Sequence, residues 1–373
     1  MTGKGLGLLA AALVCLLAGL GGCTPGLSED LPLEEMIRRG DTARWDGDLE
    51  RARAFYETAV EVYPDRPEGC LRLARLTEGA FDLEGTIGWY EAALKRDPSL
   101  TEIWYDLANL VALTDGEEAA EDLLAEAYDR TGDREFLEAE PGGSTYEMGS
   151  MGITDLSPLA SEEWTGLESL ALNTPNVEDY SPLANLTGLR ELQIFDSRPR
   201  DLSFLSGMER LEHLYLEVTG GGPVSLKPLA GCQSLKWLRL GNRGAITYLE
   251  GLEGLVGLEE LSLAWTAVTD LSPLAGCASL KTLDISRTGV TDLSPLRACR
   301  ELERLDLRDT QVTDLSPLAG CTSLKVLYLG SADVEDFTPL QNCPLEVIYL
   351  GGQSEEKVYA LSLMFPEAEL RAW

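Results

Sequence analysis

The sequence predicts a repeat protein of two solenoids, an all-α stack of helix pairs followed by an α/β solenoid with a parallel concave sheet. Two internal periods support this fold class. Residues 33–138 repeat every 34 positions, and residues 146–353 repeat about every 22 positions. Periods of this length are typical of solenoids, in which each unit buries its apolar face only against its neighbours. The apolar share of 44% is ordinary for folded protein.

The amino terminus has the pattern of an export signal. Lys4 precedes an uncharged apolar run at residues 6–20, which is too short to cross a hydrocarbon layer of about 30 Å. Two glycines and Cys23 follow, and this ending resembles the lipobox of bacterial lipoproteins. The resemblance implies that residues 1–22 are a signal peptide, that Cys23 carries the lipid, and that residues 23–32 are a lipidated tether. The alternative is an ordinary signal peptide with a chance cysteine.

Residues 33–138 carry the 34-residue period. Aromatic, small and proline residues recur at this interval, namely Tyr56 and Tyr90; Gly40, Ala74 and Ala108; Ala59, Ala93 and Ala127; and Pro64 and Pro98. Small residues let the two helices of a pair approach closely, and each proline ends a helix because it has no N–H to donate. The pattern resembles the tetratricopeptide repeat, which implies three helix pairs. The third unit departs from it, with Leu124 replacing the aromatic residue and Gly132 the proline.

A second repeat follows the short linker at residues 139–145. An L-x-x-L-x-L motif, with occasional isoleucine, begins at Leu167, Leu189, Leu211, Leu235, Leu258, Leu280, Leu302, Leu324 and Leu345. The alternation predicts one short strand per copy, with leucines inward and the intervening residues outward. The pattern resembles the internalin-like class of leucine-rich repeats, which implies a curved parallel sheet over residues 146–353. Residues 354–373 break the period, and we expect an amphipathic helix at residues 355–365 to cap this end.

Each repeat also carries a polar turn, as in Asp270, Ser272 and Pro273. We expect the serine to cap a short helical turn and the proline to occupy its first position. The aspartates of this column either accept backbone N–H groups in the turn or bind calcium, which takes six to eight oxygens. The column comprises Asp155, Asp179, Asp201, Asp270, Asp292, Asp314 and Asp336. A threonine column at Thr266, Thr288 and Thr310 is expected to satisfy backbone groups of the loops.

Five cysteines share one repeat position, at Cys232, Cys277, Cys299, Cys321 and Cys343. Because a sibling repeat has an inward leucine there, at Leu186, we interpret the cysteines as buried free thiols. Disulfides and a metal site are the alternatives, although a straight column does not offer the tetrahedral cluster that zinc requires. We therefore predict neither a metal nor a cofactor.

Composition limits the classes of function. The chain has 63 Asp and Glu residues against 30 Lys and Arg residues, a formal net charge of −33. Such a surface repels phosphate, which excludes nucleic acid as a partner. His213 is the single histidine, and no nucleophile–base pair or carboxylate pair stands out from the repeats. We therefore predict that the chain is not an enzyme.

The candidate ligand-binding residues lie on the concave face, the face of the sheet formed by the outward residues of the strands. They are Phe195, His213, Tyr215, Trp237, Arg239, Trp265, Arg287, Arg304, Arg308, Tyr328 and Tyr349. Aromatic residues and arginine dominate the energetics of protein interfaces, and a leucine core does not require them here. We interpret His213 as a contact residue rather than as an isolated titrating group.

These features predict a lipid-anchored protein outside the cytoplasm, at the cell membrane or cell surface, that binds a protein ligand on its concave face. Two other functions remain open. The chain could be an envelope assembly scaffold that works through its helical repeats. It could also be a glycan-binding surface protein, because aromatic side chains on one face also suit sugars.

Overall fold

The computed structural model describes residues 31–139, 145–149, 153–219, 223–242 and 246–371. The chain divides into two compact units, at residues 1–143 and 144–373. The predicted signal peptide and the lipid-bearing Cys23 lie outside the described residues. Within the part of the chain that the structure describes, no helix combines the length and the apolar character needed to cross a membrane.

The described residues of the first unit contain three consecutive helix pairs. The helices are α1 (Leu33–Trp45), α2 (Leu49–Val62), α3 (Glu68–Gly79), α4 (Leu83–Arg96), α5 (Thr101–Asp115) and α6 (Glu117–Thr131). The second helices of the pairs begin at residues 49, 83 and 117, so both intervals are 34 residues. The predicted helical repeats are therefore confirmed. Helices α2 and α4 end two residues before Pro64 and Pro98, as the missing proline N–H predicts.

A tyrosine fills the space between the helices of the first pair. A Cβ atom on Gly40 would lie 2.3 Å from Cε1 of Tyr56, so the ring occupies the space that a side chain would need. Tyr56 is fully buried, and its hydroxyl donates to Asp41 at 2.8 Å. Asp41 also accepts from Arg72 of the next pair at 2.8 Å. One carboxylate therefore connects α1, α2 and α3, and Arg72 and Tyr56 together hold its pKa below the usual range despite partial burial.

The second unit contains a parallel sheet of 11 strands in chain order. The strands are β1 (Thr145–Gly149), β2 (Ser169–Asn173), β3 (Glu191–Ser197), β4 (His213–Val218), β5 (Trp237–Asn242), β6 (Glu260–Ser262), β7 (Thr282–Asp284), β8 (Arg304–Asp306), β9 (Val326–Tyr328), β10 (Val347–Tyr349) and β11 (Glu369–Arg371). The inward leucines align from strand to strand, as Leu283, Leu305 and Leu327 do, and are fully buried. The predicted α/β solenoid with a parallel sheet is confirmed.

Short 3-10 turns connect the strands, and their polar caps differ in part from the prediction. The expected serine cap was wrong in the turns at Ser272–Gly276, Ser294–Ala298 and Ser316–Gly320, because the side chain of the first serine does not cap them. The aspartate two residues earlier does so: Asp270 accepts the backbone N–H of Ser272 at 2.8 Å and also its hydroxyl. All seven aspartates of the column accept such an N–H, which confirms the predicted role as backbone acceptors.

The threonine hydroxyls and the cysteine thiols of two inward columns donate hydrogen bonds to backbone carbonyls. Thr266, Thr288 and Thr310 are buried, and each donates its hydroxyl to the carbonyl three residues earlier at 2.6–2.7 Å. The column cysteines are buried free thiols, as predicted, and donate to carbonyls of preceding repeats. Burial raises the pKa of Cys299 to about 12, which keeps the reactive thiolate scarce.

Alternating charges line one edge of the sheet, at the residue before each strand. The residues are Glu168, Arg190, Glu212, Lys236, Glu259, Lys281, Glu303, Lys325 and Glu346. Arg190 bonds to Glu212 at 2.8 Å, and Lys281 and Lys325 reach the preceding glutamates at 2.6 and 3.0 Å. Sequence analysis missed this ladder. The ladder pairs four cations of the unit with carboxylates, directly beside the first outward residue of each strand.

The carboxyl-terminal segment forms helix α7 (Glu355–Met364) and then β11. Helix α7 lies where the sequence predicts a helix, and Ser354 caps it by accepting from the backbone of Lys357. Val358, Leu361 and Met364 form a partly to fully buried inner face, but the outer face is not purely polar, because Tyr359 and Leu363 are exposed there. Strand β11, which the sequence analysis did not predict, adds Arg371 to the concave face.

Candidate functional site

Parallel register arranges the outward side chains of the sheet in rows. One row runs through Glu191, His213, Trp237, Glu260, Thr282 and Arg304. Another runs through Gln193, Tyr215, Arg239, Ser262, Asp284, Asp306, Tyr328, Tyr349 and Arg371. Neighbouring strands lie about 4.8 Å apart, so adjacent members of a row can touch. The structure thus brings most of the predicted ligand-binding residues onto one face.

An aromatic cluster occupies the β3–β5 part of this face. The rings of Phe195 and Tyr215 lie 4.9 Å apart between centroids, and the Arg239 guanidinium lies 5.5 Å from the Tyr215 ring. Burial, followed by the nearby Glu217 carboxylate, raises the pKa of Tyr215, so its hydroxyl remains a hydrogen-bond donor. His213 is exposed and stands in register with Trp237. The cluster offers aromatic, cationic and hydrogen-bonding groups within three strands.

A ridge of three side chains lies beside the sheet rather than on it. Trp265, Arg287 and Asp309 follow the ends of β6, β7 and β8, so the expectation that Trp265 and Arg287 occupy strand positions was wrong. All three have left-handed backbones, with φ of 65°, 57° and 55°. The Arg287 guanidinium lies 3.9 Å from the Trp265 ring centroid, and its Nε lies 3.1 Å from Asp309. This chain of contacts holds Trp265 in place although it is 57% exposed.

Tyrosines and arginines form a third group on β8–β11. The rings of Tyr328 and Tyr349 stack at 4.2 Å. Arg304 donates to the Tyr328 hydroxyl at 3.1 Å, and Arg371 donates to the Tyr349 hydroxyl at 3.0 Å. Arg308, which was predicted at a strand position but follows the end of β8, has its guanidinium 5.2 Å from the Tyr328 ring. Sequence analysis missed Arg371 because its strand lacks the L-x-x-L-x-L signal.

Arg308 is anchored by a buried carboxylate. Its Nε donates to Asp306 at 2.9 Å, and a second guanidinium nitrogen bonds to the same side chain. Asp306 is buried, so this ion pair fixes Arg308 firmly. A Cβ atom on Gly330 would lie 2.8 Å from Cγ of Arg308, which shows that glycine there leaves room for the arginine stem.

The helical unit carries an open cleft of its own. Its volume is about 620 Å³, and α1 supplies most of the lining, including Leu33, Ile37 and Trp45. Trp45 is 75% exposed.

Elsewhere in this unit, burial and then the Asp106 charge raise the pKa of Glu78 to about 7. Among the residues that the structure describes, no group of three His, Cys, Asp or Glu side chains is arranged to hold a metal ion.

A family model described as leucine rich repeats (2 copies) matches residues 300–342. The second unit has a leucine-rich-repeat fold. The residues that the family model matches cover β8 and β9. In this region the strands, the aspartate-capped turns and the threonine column all follow the 22-residue period. No curated protein matches the chain.

Several solved structures resemble the leucine-rich-repeat domain. An internalin (inlF) from Listeria monocytogenes is 24% identical, over 63% of this chain and 78% of that one, with a TM-score of 0.44. Internalin C2 from the same species is 28% identical, over 59% and 91%, with a TM-score of 0.46. A leucine-rich-repeat protein of Leptospira interrogans is 12% identical, over 63% and 91%, with a TM-score of 0.28. Because these TM-scores lie below 0.5, the fold assignment depends on the chain's own strands and repeats.

Proposed function

We propose that this chain is a lipid-anchored, extracytoplasmic binding protein that holds a protein partner on the concave face without catalysing a reaction. The observation that carries the proposal is the concentration of aromatic and arginine side chains at outward positions. The leucine core is complete without them, since the inward rows are already fully buried. Such side chains supply most of the binding energy in protein interfaces.

Trp265 gives the proposal a physical argument beyond composition. A left-handed backbone is costly for a bulky residue, and glycine or asparagine adopts it more readily. The chain nevertheless has tryptophan there, with more than half of its surface exposed. Strained residues with an exposed apolar side chain cluster at binding sites, where a partner covers them. The contact with Arg287 orients the indole before any partner arrives, which lowers the entropy cost of binding.

The covered aromatic faces favour a polypeptide partner over a sugar. A sugar stacks on an open ring face. Arg287 covers one face of the Trp265 ring, and Tyr328 and Tyr349 each cover one face of the other. The ring edges and the guanidinium groups suit the side chains and backbone of a protein.

The lipid anchor is supported by the sequence of residues 6–23. Several buried acyl methylenes, at about 0.8 kcal/mol each, would hold the chain on a membrane that its net negative charge does not attract. Feeding cells a radiolabelled fatty acid tests this part of the proposal. We expect label on the full chain and none on the Cys23→Ala variant; label on both, or on neither, contradicts lipidation at Cys23.

The partner is tested by crosslinking the full chain in its native cell and identifying its neighbours by mass spectrometry. We expect the combined variant Tyr215→Ala, Trp237→Ala and Trp265→Ala to lose a neighbour that the parent chain captures. A matched variant with exposed aromatics elsewhere, Tyr248→Ala and Tyr359→Ala, should keep it. The proposal is contradicted if the variant with alanine at Tyr215, Trp237 and Trp265 retains every neighbour.

A second candidate function is an envelope scaffold that works through the helical unit. The exposed Trp45 beside an open cleft favours it. In the same crosslinking experiment, this candidate expects Trp45→Ala to lose the neighbours while the concave-face variant retains them. The two variants therefore assign each neighbour to one unit or the other.

A further inference from the structure

The open cleft of the helical unit extends along one face of α1. The α1 residues that line it follow helical spacing, and they are Leu33, Glu34, Ile37, Arg38, Asp41, Thr42 and Trp45. Leu33 and Ile37 form a largely buried apolar floor, whereas Trp45, at the last position of the helix, is 75% exposed. Helix α1 has 13 residues, so this face is about 20 Å long. It ends in an indole that the described part of the chain leaves mostly uncovered.

The charges around the cleft balance one another. Four arginines lie beside four carboxylates, and the groups are Arg38 and Arg39 with Glu35, Arg72 with Asp41, and Arg66 with Glu68 and the nearby Glu34. A neutral face of this kind suits a surface that carries both signs of charge. Arg44 precedes Trp45, and Asp46 and Asp48 follow it, so this end of the face is slightly acidic. An anionic surface is therefore disfavoured.

The cleft lies only a short stretch of chain away from the proposed lipid anchor. The Tyr63 hydroxyl donates to the Leu31 carbonyl at 2.9 Å, which connects the chain just before α1 to the end of α2. Cys23 precedes Leu31 by eight residues. Because an extended chain spans at most about 3.6 Å per residue, Leu31 and Cys23 are no more than about 29 Å apart. A lipid on Cys23 therefore keeps the start of α1 close to the headgroups of the membrane.

Acidic residues are concentrated in the third helix pair rather than in α1. Helix α5 carries three acidic residues and no basic one, and α6 carries six acidic residues and one arginine. Helix α1 carries three residues of each sign. The negative surface potential of a membrane repels acidic segments. Of these three helices, α1 is therefore the one whose charge permits close contact with lipid headgroups.

We propose that the cleft face of α1 docks on a zwitterionic phospholipid surface, with the Trp45 indole at the level of the headgroups. The inference rests on the proposed function, because the lipid on Cys23 brings this face to the membrane. Indole rings favour the boundary between headgroups and acyl chains, where one end is apolar and the other is hydrated. The exposed Arg38 stem can cover apolar surface while its guanidinium meets a phosphate. Since the anchor makes docking intramolecular, a weak contact is sufficient.

The test measures quenching of tryptophan emission by brominated lipid, which acts only at short range. The lipidated full chain and its Trp45→Phe variant are reconstituted in vesicles of ordinary or acyl-brominated phosphatidylcholine. The difference between parent and variant is the emission of Trp45, and we expect bromine to lower it by about half or more. The matched control is Trp265→Phe, at an indole that is 57% exposed in the other unit, and its difference should change little. Unquenched Trp45 emission, or equal quenching of both indoles, overturns the inference.

A charge placed on the cleft face locates the docking. Thr42 and Thr114 are both exposed, and each donates its hydroxyl to the carbonyl four residues earlier in its helix. Thr42→Glu should reduce the quenching of Trp45 by roughly half, because the new carboxylate would be pressed against lipid. Thr114→Glu, on α5, should leave it unchanged. Equal effects of the two variants overturn the inference, and so does stronger quenching when anionic phosphatidylglycerol is added.

The remaining outcomes separate this inference from the proposed function. A chain that carries label at Cys23 but whose Trp45 is unquenched contradicts the inference alone. If Trp45→Ala then loses protein neighbours in the crosslinking experiment, the cleft holds a protein instead of lipid. Absence of label at Cys23 contradicts the anchor and the inference together. Neighbours retained by the Tyr215, Trp237 and Trp265 variant contradict only the concave-face part of the proposed function.

Discussion

The phenol rings of Tyr328 and Tyr349 stack face to face, with centroids 4.2 Å apart and planes inclined by 3°. Their strands are adjacent and in register, so the spacing of the sheet brings the rings to stacking distance. Arg304 and Arg371 donate to the two hydroxyls from the flanking strands. Side chains on the concave face therefore connect four consecutive strands, including the short last strand β11.

Removing one ring should destabilise this end of the sheet. We expect Tyr349→Ala to lower the free energy of unfolding by about 1–2 kcal/mol, because it loses the ring pair and part of its apolar burial. Tyr349→Phe keeps the stack and should lose less. Urea denaturation followed by circular dichroism measures both. Tyr248→Ala, at an exposed tyrosine outside the stack, is the control and should stay within about 0.5 kcal/mol of the parent.

The aspartate-capped turns should make the leucine-rich-repeat domain sensitive to acid. Hydrogen bonds from Ser272, Ser203 and Ser181 lower the pKa values of Asp270, Asp201 and Asp179 in the folded state. A carboxyl group with a lowered folded pKa stabilises the fold above its unfolded pKa of about 3.9, and this contribution is lost as the pH falls through the folded pKa.

We therefore expect the urea midpoint to be steady between about pH 5 and 7 and to fall below about pH 4. Replacing Asp270, Asp201 and Asp179 together with asparagine should lower the midpoint near neutral pH and flatten its dependence in acid. An equally steep acid dependence in this variant would mean that other carboxyl groups are responsible.

The buried cysteines should be inert while the protein is folded. The pKa values of Cys232 and Cys299 are raised to about 12 by burial, and those of Cys277 and Cys321 to about 11. We expect Ellman's reagent at pH 8 to label these thiols only at the rate of unfolding, because the thiolate is scarce and shielded. Adding urea beyond the unfolding midpoint should release all of them at once. Rapid labelling of the folded chain would contradict the buried positions.

The fold could be predicted from the sequence because the same pattern of inward leucines recurs in every repeat. One inward leucine is weak evidence, but Leu283, Leu305 and Leu327 at equal intervals leave only a parallel stack in which each unit covers the next. The same reasoning identified the aspartate column. It misplaced the cap on serine, because the sequence does not show which of two neighbouring oxygens reaches the backbone N–H.

The candidate site was only partly predictable for two physical reasons. Strand ends depend on backbone torsions, so Trp265 and Arg287 were assigned to strands although left-handed residues turn the chain there. Strand β11 lies outside the repeat period, and pairing with β10 rather than its own pattern makes Glu369–Arg371 a strand. The repeat pattern therefore could not predict that Arg371 lies on the concave face, or that it bonds to Tyr349.

Trp265 offers a direct separation of stability from binding. We expect Trp265→Asn to change the free energy of unfolding by less than about 1 kcal/mol, since asparagine relieves backbone strain while the contact with Arg287 is lost. The same variant should lose much of the partner captured in native-cell crosslinking, because an exposed, oriented indole is typical of a binding hot spot. Urea denaturation and crosslinking yield measure the two effects. A large loss of stability with normal capture would instead make Trp265 a structural residue.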